Sequence, residues 1–260
     1  MNGIQIDSRG VSNALAFVLI FGIAVGSVFV VFSSGITTLD DLREAERANN
    51  AERAMFIIHQ NVENIHNDGV AGRDTEVQLT ESQLMLQEGS QFEVWEGTDP
   101  DYDDEDREDF IFSRRSFVLD YSVTDDRSTV YEFGALIRET PAGPVMVQDP
   151  PFSMVERGDT DRLLVTPVEL QGGGNVAGGK QLVVFRGGGS GLETVEDEKD
   201  ITIRMETNPD RTDAWVSYYE DELEAENVEV TGEDEKTVEA TFEDVEIVIR
   251  TQSVVVDFES

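Results

Sequence analysis

The sequence predicts an α+β protein: a long N-terminal helix that spans a membrane and continues as an amphipathic stalk, then a mostly antiparallel β head with one additional helix. Three observations carry this. Residues 11–39 contain no charged side chain, the next thirty residues place apolar side chains at steps of three and four, and beyond Gly72 short Val-, Ile-, Phe- and Tyr-rich runs alternate with Gly, Asp and Pro clusters.

Length decides the first element. Residues 14–32 alone give nineteen positions, close to the roughly 20 that cross about 30 Å of hydrocarbon as a helix and more than the about 7–15 of a secretory h-region. The preceding flank holds one Asp and one Arg, not a basic patch. Segment 11–38 therefore reads as a transmembrane helix, with a cut after Ser33-Ser34-Gly35 left open. Gly22 and Gly26, four apart within it, permit close helix–helix association, although Gly is common in membrane helices for other reasons.

The stalk, 39–68, follows from periodicity. Leu42, Ala45, Ala48, Ala51, Met55, Ile58, Val62 and Ile65 are expected on one face. Between Leu39 and Asn67 there is neither Pro nor Gly, and Asp68-Gly69 ends the helix. The two histidines, His59 and His66, stand seven apart on it. Metal-binding pairs on a helix are typically about four apart, so these read as stalk surface or stalk–head contacts.

The head, 69–260, carries the strand-like runs, among them 76–79, 84–87, 91–95, 116–123, 129–138, 181–186 and 246–258. Asn208-Pro209 offers an N-cap followed by a helix-starting Pro, and 213–223 then brings Trp215, Tyr218, Tyr219 and Leu223 to one side as core contacts. Three segments read as loops: the acidic 99–109 and the glycine-rich 171–179 and 187–191.

Charge constrains function. There are 55 Asp plus Glu against 19 Lys plus Arg, a formal charge of −36. The Debye length is about 8 Å at 0.15 M salt and about 3 Å at 1 M, so such self-repulsion is screened only in concentrated salt. The excess, with only Lys180, Lys199 and Lys236 as lysines, reads as halophilic adaptation. Intrinsic disorder does not fit an apolar content of 39%. So acidic a chain disfavours nucleic acid and anionic lipid headgroups as partners. With no cysteine there is neither disulfide nor thiolate chemistry.

Site motifs are weak. Asp99, Asp101 and Asp103 open like a calcium loop, but Asp104 replaces the sixth-position Gly and Phe110 the twelfth-position Glu, which leaves only loose cation binding. The glycines at 172 and 174 precede a strand, not the helix a dinucleotide needs. Ser190 lacks the G-x-S-x-G spacing, and the head has no His. No nucleophile, base and orienter can be named, so the sequence reads as a non-enzyme without cofactor or metal.

The sequence around Val11-Ser12 and Leu15-Ala16-Phe17, with NNAERA at 49–54, GALIRE at 134–139, VMVQDPPF at 145–152 and DAWVSYY at 213–219, resembles an uncharacterised haloarchaeal family with pilin-like N termini. The resemblance covers most of the chain and implies a class-III signal: a polar leader, 1–10, removed by a prepilin-type peptidase after Arg9-Gly10, so that Val11 begins the mature chain. A plain, uncleaved anchor is the competing reading of Arg9, Gly10 and Val11. Many bacterial pilins carry Glu at the fifth mature position, where this chain has Leu15. The expected role is a pilin-like surface subunit or minor pilin of a haloarchaeal type IV pilus-like system, packing with other pilin-like subunits through the N-terminal helix. The alternative is a solitary membrane-anchored extracellular binding domain. A single-pass cell-membrane topology with the head outside is expected. The positive-inside count opposes it, because Arg43, Arg47 and Arg53 follow the span while Arg9 alone precedes it, so leader recognition has to set orientation. An uncovered apolar face on the stalk favours the filament, and a concave pocket in the head favours the receptor.

Overall fold

The computed structural model describes residues 8–98, 110–158 and 160–259. Helix α1 (Ser8–Asp68) runs 61 residues, and the chain divides into two compact units, Met1–Glu46 and Arg47–Ser260. The last part of α1 thus belongs to the head unit.

In the first unit, Leu15–Ser33 is long and apolar enough to cross a membrane, and its side chains are exposed. A helix satisfies its own backbone, which hydrocarbon demands. The polar side chains in it turn inward: Ser27 Oγ donates to the Ile23 carbonyl at 2.8 Å and Ser33 Oγ to that of Val30 at 3.1 Å. Leu42 is 61% exposed, not part of the buried face. Each step of three residues turns the helix about 60° short of a full circle, so the three steps from Leu42 to Ala51 rotate the face by half a turn.

In the second unit steps of four and three alternate, which holds one face, and Ala51, Met55, Ile58, Val62 and Ile65 are buried. They share a core with Val77, Leu79, Leu84, Leu119, Val183, Phe185, Val254 and Val256. The strands are β1 (Gly72–Glu96), β2 (Phe110–Thr124), β3 (Arg127–Glu132), β4 (Ala135–Glu139), β5 (Val145–Gln148), β6 (Ser153–Arg157), β7 (Thr160–Val165), β8 (Val168–Gly172), β9 (Gly174–Glu206), β10 (Asn227–Thr231) and β11 (Thr237–Glu259). The single sheet has the order β5-β4-β3-β2-β1-β9-β11-β7-β6, with β10 on β11 and β8 bridging β11 and β2. The circuit β2-β1-β9-β11-β8 therefore closes on itself through Phe117 opposite Leu170.

Most pairs are antiparallel. Along β1 and β9, too, residue numbers run in opposite senses within each of two stretches: from Gly72 opposite Arg186 to Leu86 opposite Gly174, and from Gln91 opposite Glu206 to Glu96 opposite Ile201. The exceptions are β7 and β8, which lie parallel to β11, Val245 opposite Asp161 and Gln252 opposite Val168.

The three long strands β1, β9 and β11 serve two cores. Their other portions, with Phe92, Val94, Ile201, Ile203, Met205, Val238 and Ile247, pack against helix α2 (Thr212–Asp221) through Trp215, Tyr218 and Tyr219, and against Leu223 just beyond its end. The expected cap is present: one 3₁₀ turn, Pro209–Arg211, precedes α2, and Asn208 Oδ1 accepts from the Asp210 amide at 3.0 Å.

Two expectations are corrected. The run 129–138 is not one strand: Phe133 and Gly134, at φ +47° and +99°, form a two-residue turn between β3 and β4, with Glu132 opposite Ala135. The glycine segments 171–179 and 187–191 are not flexible loops but lie almost wholly in β8 and β9. Glycine there permits close approach. A Cβ on Gly188 would run into Ser253 Oγ, and one on Gly191 would stand 2.7 Å from Thr251 Oγ1. Backbones and hydroxyls occupy the space that side chains leave.

Candidate functional site: an acidic cleft in the head

The polar face of β1–β4 floors a cleft of about 1180 Å³ in the head unit. Cross-strand register builds the floor. Gln83 lies opposite Ser122, Ser122 opposite Ser128, and Ser128 opposite Glu139. Asp120, two positions from Ser122, shares their face. The β2–β3 turn, the β4–β5 connection and the Asn208–Asp213 corner supply the walls. Glu81, Asp120, Asp125, Asp126, Glu139, Asp210 and Asp213 line the cleft, with Arg127 the one cation among its described lining residues.

Two of these carboxyls are tuned by their surroundings. Burial pushes Asp120 above the usual carboxylate range, opposed by Ser122 Oγ, which donates to Oδ1 at 2.9 Å, and by Arg211. Burial also pushes Glu139 up, against Ser128 Oγ, which donates to Oε2 at 2.5 Å, and against Arg211, while Asp120 and Asp210 add to the rise. The cleft thus presents many acceptors and two carboxyls that resist ionisation, a lining suited to a cationic or donor-rich ligand.

Beneath the cleft lies a buried polar hub. Glu132 is fully buried, accepts from Thr207 Oγ1 at 2.8 and 2.9 Å and from Trp215 Nε1 at 2.8 Å, and is also bonded by Ser90 Oγ. Arg211, itself buried, stands 3.5 Å from both Glu132 and Glu139 and so links hub to cleft. Sequence reasoning missed this hub. Its one signal is an acid inside the apolar run TVYEFGALI, a pattern in which a charge needs a partner if the strand is buried.

The residues singled out in the sequence are dispersed. Arg9, Gly10 and Val11 lie in the first turn of α1, their side chains outside the described part of the structure. Gly22 and Gly26 have nothing within 4 Å of an added Cβ. Asp99, Asp101 and Asp103 lie outside the described residues. His59 and His66 do meet the head: His59 Nε2 donates to the Gly134 carbonyl at 3.0 Å, and the His66 carbonyl accepts from Arg250 Nη2 at 3.2 Å. Among the described residues no three His, Cys, Asp or Glu side chains are placed to hold a metal ion.

A family model described as "Family of unknown function (DUF7289)" matches residues 9–259. No curated protein and no solved structure matches the chain.

Proposed function

The chain belongs to that family of unknown function, and from this starting point we propose that it is a membrane-anchored, pilin-like surface subunit, held in the cell membrane of a haloarchaeon by α1 with the head outside. The observation that carries the reading is the double use of one helix. Its Leu15–Ser33 stretch is apolar and exposed, whereas Ala51, Met55, Ile58, Val62 and Ile65 are core residues of the head. A mere tether has no need of the second property; a subunit whose helix must hold its head in fixed register does. The exposed Phe56 and Ile57, at 37% and 49%, add apolar surface on the stalk for a neighbouring helix. A prepilin-type peptidase acting after Gly10 would leave all of this intact.

The acidic cleft favours a second reading, a solitary anchored domain that binds a cationic ligand. N-terminal sequencing of the protein from its own membranes tests the first reading. A mature chain starting at Val11 supports the pilin-like route, and an intact Met1 or a start after Gly35 refutes it. Recovery in sheared surface filaments then separates subunit from solitary receptor.

A further inference from the structure

We propose that a small cavity between the end of α1 and the β3–β4 turn is a binding site for a primary ammonium group. The cavity measures about 110 Å³. Glu63 and Asp149, both exposed, stand at its mouth; His66 and Tyr131, both buried, lie deeper, and the half-buried His59 forms one side. This site is independent of the anchoring role proposed above.

The lining is a set of acceptors short of donors. A carbonyl can only accept, so the contact to Gly134 fixes His59 as the tautomer protonated at Nε2 and leaves a lone pair on Nδ1. That nitrogen is buried and has no hydrogen-bond partner, and the same holds for Nδ1 of His66, which is only 5% exposed. Burial lowers the proton affinity of both rings, His66 further through Arg250, so they stay neutral in spite of Glu63 beside His59. Arg250 reaches the carbonyl of His66 and does not line the cavity. No Lys or Arg does. An unmatched buried acceptor is costly, and a ligand that donates to His59 Nδ1, and to His66 Nδ1 in its Nε2-protonated tautomer, recovers that cost.

Chemistry and size select the ligand. An ammonium group offers three N–H donors and a positive charge, matching imidazole nitrogen, the Tyr131 hydroxyl and the two carboxylates. A water molecule takes about 30 Å³ of liquid volume, so the cavity admits the ammonium with one or two carbons. A metal ion fits poorly, because it needs ligand atoms within about 2.0–2.6 Å and among the described residues no three His, Cys, Asp or Glu side chains are placed so closely, whereas N–H donors reach acceptors at about 2.9 Å. The turn that presents the Gly134 carbonyl is itself held tightly: a Cβ on Gly134 would stand 2.5 Å from Pro151 Cδ.

The chain has only two histidines, which makes the test direct. Full-length protein labelled with ¹⁵N-histidine is titrated with methylammonium chloride, and in parallel with tetramethylammonium and potassium chloride at matched ionic strength. Saturable shifts of both Nδ1 signals with methylammonium alone are expected, weakened about tenfold in the exposed-residue variant Glu63→Gln, which exchanges a charged acceptor for a neutral one. A parallel titration with N-acetyl-lysinamide separates sources: weaker binding than methylammonium assigns the site to free amines, and equal or tighter binding to a lysine tip. Absence of shifts, equal shifts with all three salts, or shifts unchanged in Glu63→Gln would overturn the proposal.

Discussion

Replacing Glu132 by Ala should unfold the head far more readily than any surface substitution. The carboxylate is fully buried and engages Ser90, Thr207 and Trp215, with Arg211 as its counter-charge. Removing it leaves the guanidinium of Arg211, whose side chain is only 6% exposed, with Glu139 as its one remaining carboxylate, and leaves the indole N–H without its acceptor. Breaking a buried pair in this way costs about 3–5 kcal/mol. The unit Arg47–Ser260 has 214 residues, and at that size about 1 kcal/mol moves Tm by roughly 2–4 °C, so a fall of about 6–20 °C is expected. Tryptophan fluorescence during thermal unfolding in molar salt is the assay, and the loss should be insensitive to salt because the pair is dry. The double replacement Glu132→Leu with Arg211→Met, which removes both charges and keeps the volume, should cost less than the two single losses added together. A loss below about 1 kcal/mol for Glu132→Ala, or additive single effects, would refute the claim that these charges depend on one another.

Three further outcomes are expected. The protein should lose cooperative structure as salt falls from molar toward about 0.1 M, where the Debye length grows from about 3 to about 10 Å; circular dichroism unchanged across that range would remove the halophile reading. For pH, His59 and His66 have lowered folded values, so the stability they contribute is complete above their ordinary 6.5 and is lost as pH falls through the folded value. Asp120 and Glu139 are raised, so theirs is complete below about pH 4 and is lost as pH rises through the folded value. Glu139→Gln should therefore raise Tm at pH 7 and give no gain near pH 3, and a gain equal at both would contradict the burial argument. Finally, Gly188→Ala should cost about 1–3 kcal/mol, since its Cβ meets Ser253, while Gly173→Ala, which meets nothing, should leave the melting temperature unchanged.

The helices were legible because their signals are local. The apolar run needs only length, the α2 corner announces itself through Asn208-Pro209, and the Met55–Ile58–Val62–Ile65 face needs only helical period. Leu42 misled because a series of threes looks like a helical stripe while turning steadily away from it. The glycine runs misled for a different reason: composition records that side chains are missing, and only the fold decides whether the space stays open or is filled by Ser253 and Thr251. The cleft was beyond reach, since its carboxylates at 81, 120, 139 and 210 are distant in sequence and meet through strand register. In a chain with 55 acidic residues, no single one stands out as a candidate.

Because the last turns of α1 are core, the head does not begin where its first strand begins. Ala51, Met55, Ile58, Val62 and Ile65 close one side of the core built on Val77, Leu79, Leu119, Val183, Phe185, Val254 and Val256. A chain cut just before Gly72 would leave that apolar face open to water and to association, whereas a cut before Arg47 keeps the row in place. The smallest self-contained head therefore carries a stretch of helix ahead of β1.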